Sequence, residues 1–294
     1  MPFDVKKKEA FAPLFNAKDA SDSQQYYGVF VAQSTDFSQS FSIEKSDGLS
    51  KITSLEGDLY QFIFDEIDER QVFEQDTSSP IYPFEYNALL WQSLPISLNK
   101  SLSQALAYNL LNLGEKRIAG RLVTEYLLEP IYSDRYAVAL YIEPDSGVLL
   151  KKSWYWQSHL IASATMSALS PTPVTPLNDQ LDSLTLKEST KNTQDAPVKA
   201  NSLTKSLSLP KGFELTAFYV SGKQSHAYYS DGICELSAFF TELPDNEPYR
   251  LQENQQGSFS GVAQSVTLAK KHYQLTLCGH LPLATLQKMM LALS

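Results

Sequence analysis

His272 and Cys278 lie six residues apart in a stretch that reads as a strand, which puts both side chains on one face. That spacing could set a thiol nucleophile near a base, or it could be a core cysteine close to an ordinary surface histidine. Cys234 and Cys278 could meet across strands as a disulfide or stand as two separate thiols. His159, His226, His272 and His280 have no ligand-like spacing among themselves or with the cysteines, so no metal site is expected. The acidic run Asp65-Glu-Ile-Asp-Glu69 reads as a solvated strand end, not a working carboxylate pair. There is no GxSxG elbow, GxGxxG turn, phosphate loop or HExxH helix. No catalytic residue and no cofactor is expected, and the chain reads as non-enzymatic.

A binding role draws on other residues. Lys151 and Lys152, with Lys116, Arg117 and Arg121, are the densest basic positions in the first domain, 26–169. Gathered by a sheet they could face an anionic headgroup; left apart, they would keep a strand edge soluble. Tyr60, Phe62, Phe64, Trp154 and Trp156 could line an acyl-chain cavity or fill a core. Tyr60, Phe62, Phe64, Arg117, Arg121, Lys151, Lys152 and Trp154 are therefore the candidate lipid-binding set. The background charge opposes anionic ligands: 24 Lys and Arg against 33 Asp and Glu give −9 at pH 7. Such a field repels nucleic acid at long range, so a nucleic-acid partner is not expected.

The elements that must position these residues are mostly strands. Of 294 residues 43% are hydrophobic and 12% aromatic, enough for a core, and the β-prone aromatics favour sheets. Residues 1–25 read as a polar tail in which Phe11, Leu14 and Phe15 hint at one short helix. Strand patterns follow at Tyr26–Gln33, Phe41–Ile43 and Asp58–Asp65. Between Pro83 and Leu113 the period changes to three and four, through Leu102, Leu106 and Leu110, which predicts one or two helices. Strands return at Leu122–Leu128, Tyr136–Ile142, Val148–Trp156 and Leu160–Leu169, with a hairpin turn at Pro144–Gly147. Residues 170–207 contain no aromatic side chain and read as a flexible linker between a domain over 26–169 and one over 208–294. The second domain shows strands at Gly212–Val220, Gln224–Tyr229, Ile233–Phe240 and Ser265–Leu277. Pro282 then opens a final helix with Leu286, Met290 and Leu293 on its buried side.

Several segments in order resemble one family. Leu209-Pro-Lys-Gly-Phe213, Tyr229-Ser-Asp-Gly232 and Thr276-Leu-Cys-Gly-His-Leu-Pro282 resemble the C-terminal domain of the RseB/MucB proteins. Tyr27-Gly-Val-Phe-Val31, Leu55-Glu-Gly57, Arg117-Ile-Ala-Gly-Arg121 and Asp145-Ser-Gly-Val-Leu-Leu-Lys151 are similar to elements of its first domain. The resemblance implies an α+β, mainly β protein. Its first domain would be a LolA/LolB-like antiparallel half-barrel covered by helices, followed by a smaller antiparallel α+β domain. It implies a periplasmic regulator that binds an anti-sigma factor of RseA/MucA type, shields it from proteolysis and is released by mislocalised lipopolysaccharide or acyl lipid. Tyr229, Ser230, Asp231 and Gly232 are the candidate partner-binding residues. A lipoprotein or lipid carrier of LolA/LolB type is the alternative, and self-association stays open. No apolar run of signal-peptide length follows Met1, so the residues alone, read literally, suggest a cytoplasmic chain or a mature form.

Overall fold

The computed structural model describes residues 3–46, 48–56, 61–65, 70–74, 107–171, 187–188, 202–244, 251–268 and 271–293. Among them two antiparallel sheets dominate and helices are few, so the protein is α+β and mainly β. No described helix is long and apolar enough to cross a membrane.

The first sheet has 11 strands: β1 (Tyr26–Ser34), β2 (Ser38–Ser46), β3 (Leu49–Ser54), β4 (Gln61–Asp65), β5 (Arg70–Glu74), β6 (Tyr108–Ile118), β7 (Arg121–Pro130), β8 (Ala137–Ile142), β9 (Leu149–Trp156), β10 (His159–Ser170) and β11 (Lys187–Glu188). Its order is β11-β5-β4-β3-β2-β1-β10-β9-β8-β7-β6. Two meanders are thus joined along a single seam, where β1 pairs with β10 from Tyr27 opposite Ser170 to Ser34 opposite Ala162. The sheet curls, bringing β6 toward β10. Alternation buries Tyr26, Phe30 and Ala32 of β1 on one face, and Phe30 stacks on Phe41 with ring centroids 5.1 Å apart.

The N-terminal segment is not a tail. It forms a helix, Phe3–Asp22, that runs through Pro13 and buries Phe11 and Leu14 in the core. The i, i+3 spacing of those two residues is the whole signal. Gly147 makes the docking possible: with φ of 68° it lies so close to the helix that a Cβ would come within 1.9 Å of the Ala17 carbonyl oxygen.

Two further expectations change. Of the stretch predicted helical, 83–106 lies outside the described residues, and Tyr108–Ile118 is an edge strand rather than a helix end. Within 170–207, β11 pairs with β5, and a short helix at Ser202–Ser206 buries Leu203.

The second sheet has six strands: β12 (Glu214–Ser221), β13 (Gln224–Ser230), β14 (Glu235–Glu242), β15 (Gln252–Gln256), β16 (Phe259–Leu268) and β17 (Lys271–Gly279). Where one strand was predicted over Ser265–Leu277, two antiparallel strands pair from Ser260 opposite Gly279 to Leu268 opposite Lys271. The all-polar β15 had shown no pattern. The C-terminal helix, Leu283–Leu291, begins directly after Pro282 and lays Leu286, Met289 and Met290 on the buried face of this sheet. Leu293, expected on that stripe, is half-buried beyond the last turn.

Candidate functional site at the junction of the sheets

Arg135, in the loop between β7 and β8, is fully buried where the two sheets meet. Its guanidinium donates from Nη1 to Asp231 of the second unit, from Nη2 to the Lys211 carbonyl at 2.6 Å, and from Nε to Asp134 at 2.8 Å. The rings of Tyr108, Tyr132 and Phe213 lie 5.9, 5.4 and 5.3 Å from its central carbon. A planar cation bonded through its edge and covered by rings needs no water. Burial weakens the guanidinium's hold on its proton, but Asp134 and Asp231 more than reverse this, so Arg135 stays charged.

The opposing turn is built to present Asp231. Its Oδ1 accepts the N–H groups of Ile233 at 2.9 Å and Cys234 at 2.7 Å, which leaves Oδ2 for Arg135. Ser230 Oγ accepts the Gly232 N–H and donates to the Cys234 carbonyl, and Gly232 takes φ of 90° to close the turn. Burial pushes the Asp231 carboxyl above its usual range, against the pull of Arg135 and the two N–H donors.

A second buried cluster adjoins it. Lys152 lies over the Trp154 ring at 4.6 Å and is almost fully buried. Burial drags its pKa down to about 7, and Cys234 and Glu235 only partly offset this. His280 of the second unit stacks on the same Trp154, centroids 6.1 Å apart, with Nδ1 3.0 Å from Ser258 Oγ. Burial, then Lys152, lowers its pKa to about 3, so the ring is neutral near pH 7. The Tyr108 hydroxyl lies 3.2 Å from Cys234 Sγ, and burial pushes both groups up, keeping them protonated.

Beside this lock the two units form a groove of about 280 Å³. Tyr136, Trp156 and Ile161 line it from the first unit, and Pro282, Leu283 and Gln287 from the second. Neither unit holds the groove alone. Its walls are apolar with an amide at the rim, which suits an apolar side chain of a bound segment.

The structure separates much of what the sequence grouped. Tyr229, Ser230, Asp231 and Gly232 are all buried, with the Tyr229 hydroxyl on the Thr204 carbonyl at 3.3 Å, so they form the back of the junction and not an outer surface. Tyr60 lies outside the described residues, while Phe62 and Phe64 are placed only as backbone positions of β4. The basic set does not converge. Arg117 is exposed at the β6–β7 turn and bonds Gly120, Arg121 pairs with Glu143, and Lys151 covers Tyr141. Lys152, its neighbour on β9, points to the opposite face with Trp154.

Cys234 and Cys278 are free, and burial lifts the Cys278 thiol to about 11. Six residues of extended strand hold His272 roughly 20 Å from it, too far for a nucleophile and base. Among the described residues no cluster of His, Cys, Asp or Glu could hold a metal. Arg135 was missed because Tyr132-Ser-Asp-Arg-Tyr136 reads as an ordinary loop; its flanking tyrosines were the only hint.

A family model for the MucB/RseB N-terminal domain matches residues 9–174. No curated protein matches the chain. Among solved structures, a MucA/MucB complex from Pseudomonas aeruginosa aligns with a TM-score of 0.71 at 21% identity, covering 97% of this chain and 98% of that one. A crystal structure of MucB in complex with MucA(peri) aligns at 0.70 and 21%, covering 97% of each chain. MucB alone aligns at 0.66 and 20%, again over 97% of both. At this identity the likeness is one of fold, and it extends across both sheets.

Proposed function

The chain belongs to the MucB/RseB family, and we propose that it is a non-enzymatic regulator that binds the periplasmic segment of a membrane anti-sigma factor of RseA/MucA type. In this role it works in the periplasm, protects that segment from regulated proteolysis, and is released by mislocalised lipopolysaccharide or lipid. One observation carries the proposal. The groove at the junction has one wall from each unit, and the buried Arg135–Asp231 pair fixes those walls relative to one another. The solved MucB complexes with MucA, similar in fold over both units, support the identity of the occupant.

The physics is a linkage. A segment that touches both walls binds only when the units are locked in register, and its binding energy in turn stabilises the lock. Any ligand that prefers the unlocked arrangement weakens the complex by its differential affinity and by no more than that. Calorimetric titration with the periplasmic segment of the cognate anti-sigma factor tests this. Micromolar or tighter binding is expected, weakened about tenfold or more by Trp156→Ala and weakened again by added lipopolysaccharide. Absence of binding would overturn the regulator; binding indifferent to Trp156→Ala would move the partner away from the groove; binding indifferent to lipopolysaccharide would remove the release step.

A further inference from the structure

The six-stranded sheet has a second face, turned away from the C-terminal helix, that the groove does not use. Strand pairing lays Tyr219, His226, Phe239, Thr276 and Ala263 in one row across it. His226 stacks on Phe239, centroids 4.2 Å apart and planes within 8°, and Tyr219 lies 6.3 Å away on the other side. Adjacent strands are about 4.8 Å apart, so rings stacked face to face across them must stand upright on the sheet. Phe239 is the end of that stack and is 40% exposed although β14 is an interior strand. Beyond it come Thr276 and Ala263, whose short side chains cannot cover its far ring face. The surface is therefore a step, with an aromatic wall above a low floor.

Among the described residues, the strand positions that flank the step carry no charge. The flanking rows bring Ser237 on one side and Thr241 and Gln274 on the other. None of the residues that pairing places in these three rows is Asp, Glu, Lys or Arg, in a chain whose net charge is −9. His226 adds no charge near pH 7, since burial lowers its pKa, and its Nε2 lies 3.0 Å from Ser237 Oγ. Among the described residues of these rows an anionic headgroup finds no cation, and an acyl chain would leave the amide and hydroxyl rim desolvated and unpaired. A pyranose meets both demands, because its C–H face lies flat on an aromatic ring while its hydroxyls exchange hydrogen bonds with amides and hydroxyls at the edge. We propose that the outer face of the six-stranded sheet binds a neutral saccharide. The far face of Phe239 is the stacking surface, and Ser237, Thr276 and Gln274 are the hydrogen-bonding rim.

The test is an amide-shift titration of the intact, isotope-labelled chain with two neutral probes, cellotriose and tri-N-acetylchitotriose. Saturable shifts with a dissociation constant of about 1 mM or tighter are expected for at least one, clustered on β14, β16 and β17. Phe239→Ala, a truncation at an exposed ring, should weaken binding about tenfold or more while the rest of the spectrum stays unchanged. Thr276→Lys, which lays a long side chain over the floor and against the far face of Phe239 while leaving all three rings in place, should do the same and serves if the first variant unfolds. Absence of shifts with both sugars, shifts centred elsewhere, or binding indifferent to both variants overturns the proposal. So does a wild-type dimer in sedimentation that Phe239→Ala dissolves, since the face would then be occupied by a second copy of the chain.

Discussion

An arginine meets a carboxylate in two contrasting places. Between β7 and the turn after β8, Arg121 lies 2.7 Å from Glu143 with the side chains 32% and 16% exposed; at the junction, Arg135 meets Asp231 with both at 0%. The contact is the same and the consequence is not. Near water each partner is nearly as well solvated apart as together, and such a pair is worth roughly 0.2–1 kcal/mol. In the interior the cost of dehydration is met by the pair together with Asp134 and the Lys211 carbonyl on Arg135 and two backbone N–H donors on Asp231. The pair then adds little net stability over an apolar substitute, yet removing one member strands a buried charge. The junction therefore fixes one relative arrangement of the two units rather than gluing them together, which is what a release mechanism requires.

Variants can sharpen or break this contrast. The largest loss is expected from Asp231→Ala, which leaves Arg135 with only the partly exposed Asp134 as counter-ion and also frees the N–H groups of Ile233 and Cys234. Denaturant unfolding should show a loss of about 3–5 kcal/mol. A loss no larger than that of a surface pair would erase the distinction.

Lys152→Met should act in the opposite direction, because burial drags the pKa of this ammonium down and the nearby Cys234 and Glu235 only partly offset it. The ordinary lysine pKa is 10.5 and the folded value about 7, so between them the unfolded chain holds the extra proton. Stability therefore rises with pH across that window, and the penalty is complete below pH 7. His280 has the same sign lower down, from 6.5 unfolded to about 3 folded, so stability falls as pH drops through that interval. The variant should gain about 1–4 kcal/mol below pH 7 and lose most of the slope above it, as read by unfolding curves at several pH values. A loss at low pH would mean that the contacts of the ammonium outweigh its dehydration. Smallest is Arg121→Ala, expected to cost less than about 1 kcal/mol and to fade with added salt. A larger, salt-independent cost would place Arg121 with Arg135.

Legibility in the sequence followed apolar content. β7 to β10 could be read because they are runs rich in apolar and aromatic residues, with β8 and most of β9 buried on both faces, and Pro144–Gly147 supplies an unambiguous turn. β6 could not: Leu110 continues the four-residue spacing of Leu102 and Leu106, which reads as a helix, and most of the strand is solvent-facing, with Leu111 and Leu113 both exposed. β15, Gln-Glu-Asn-Gln-Gln, had no apolar residue to betray it. The Ser-Asp-Gly turn was legible as a turn and from its resemblance, but nothing in it said that its carboxylate faces inward. That orientation depends on Arg135, 96 residues away, and pairing between loops leaves no periodic trace.

The seam between β1 and β10 also sets an order of events for the newly made chain. Each meander can form from neighbouring strands as soon as those strands exist, but β1 has no second neighbour until Ser170 has been synthesised. Closing so long a loop is slow even when its equilibrium cost is modest, so the seam is the natural bottleneck of folding. The lock between the units comes later still, because Asp231 follows the entire first sheet in the chain. Until the seam closes, β1 and β10 expose strand edges to any other extended chain.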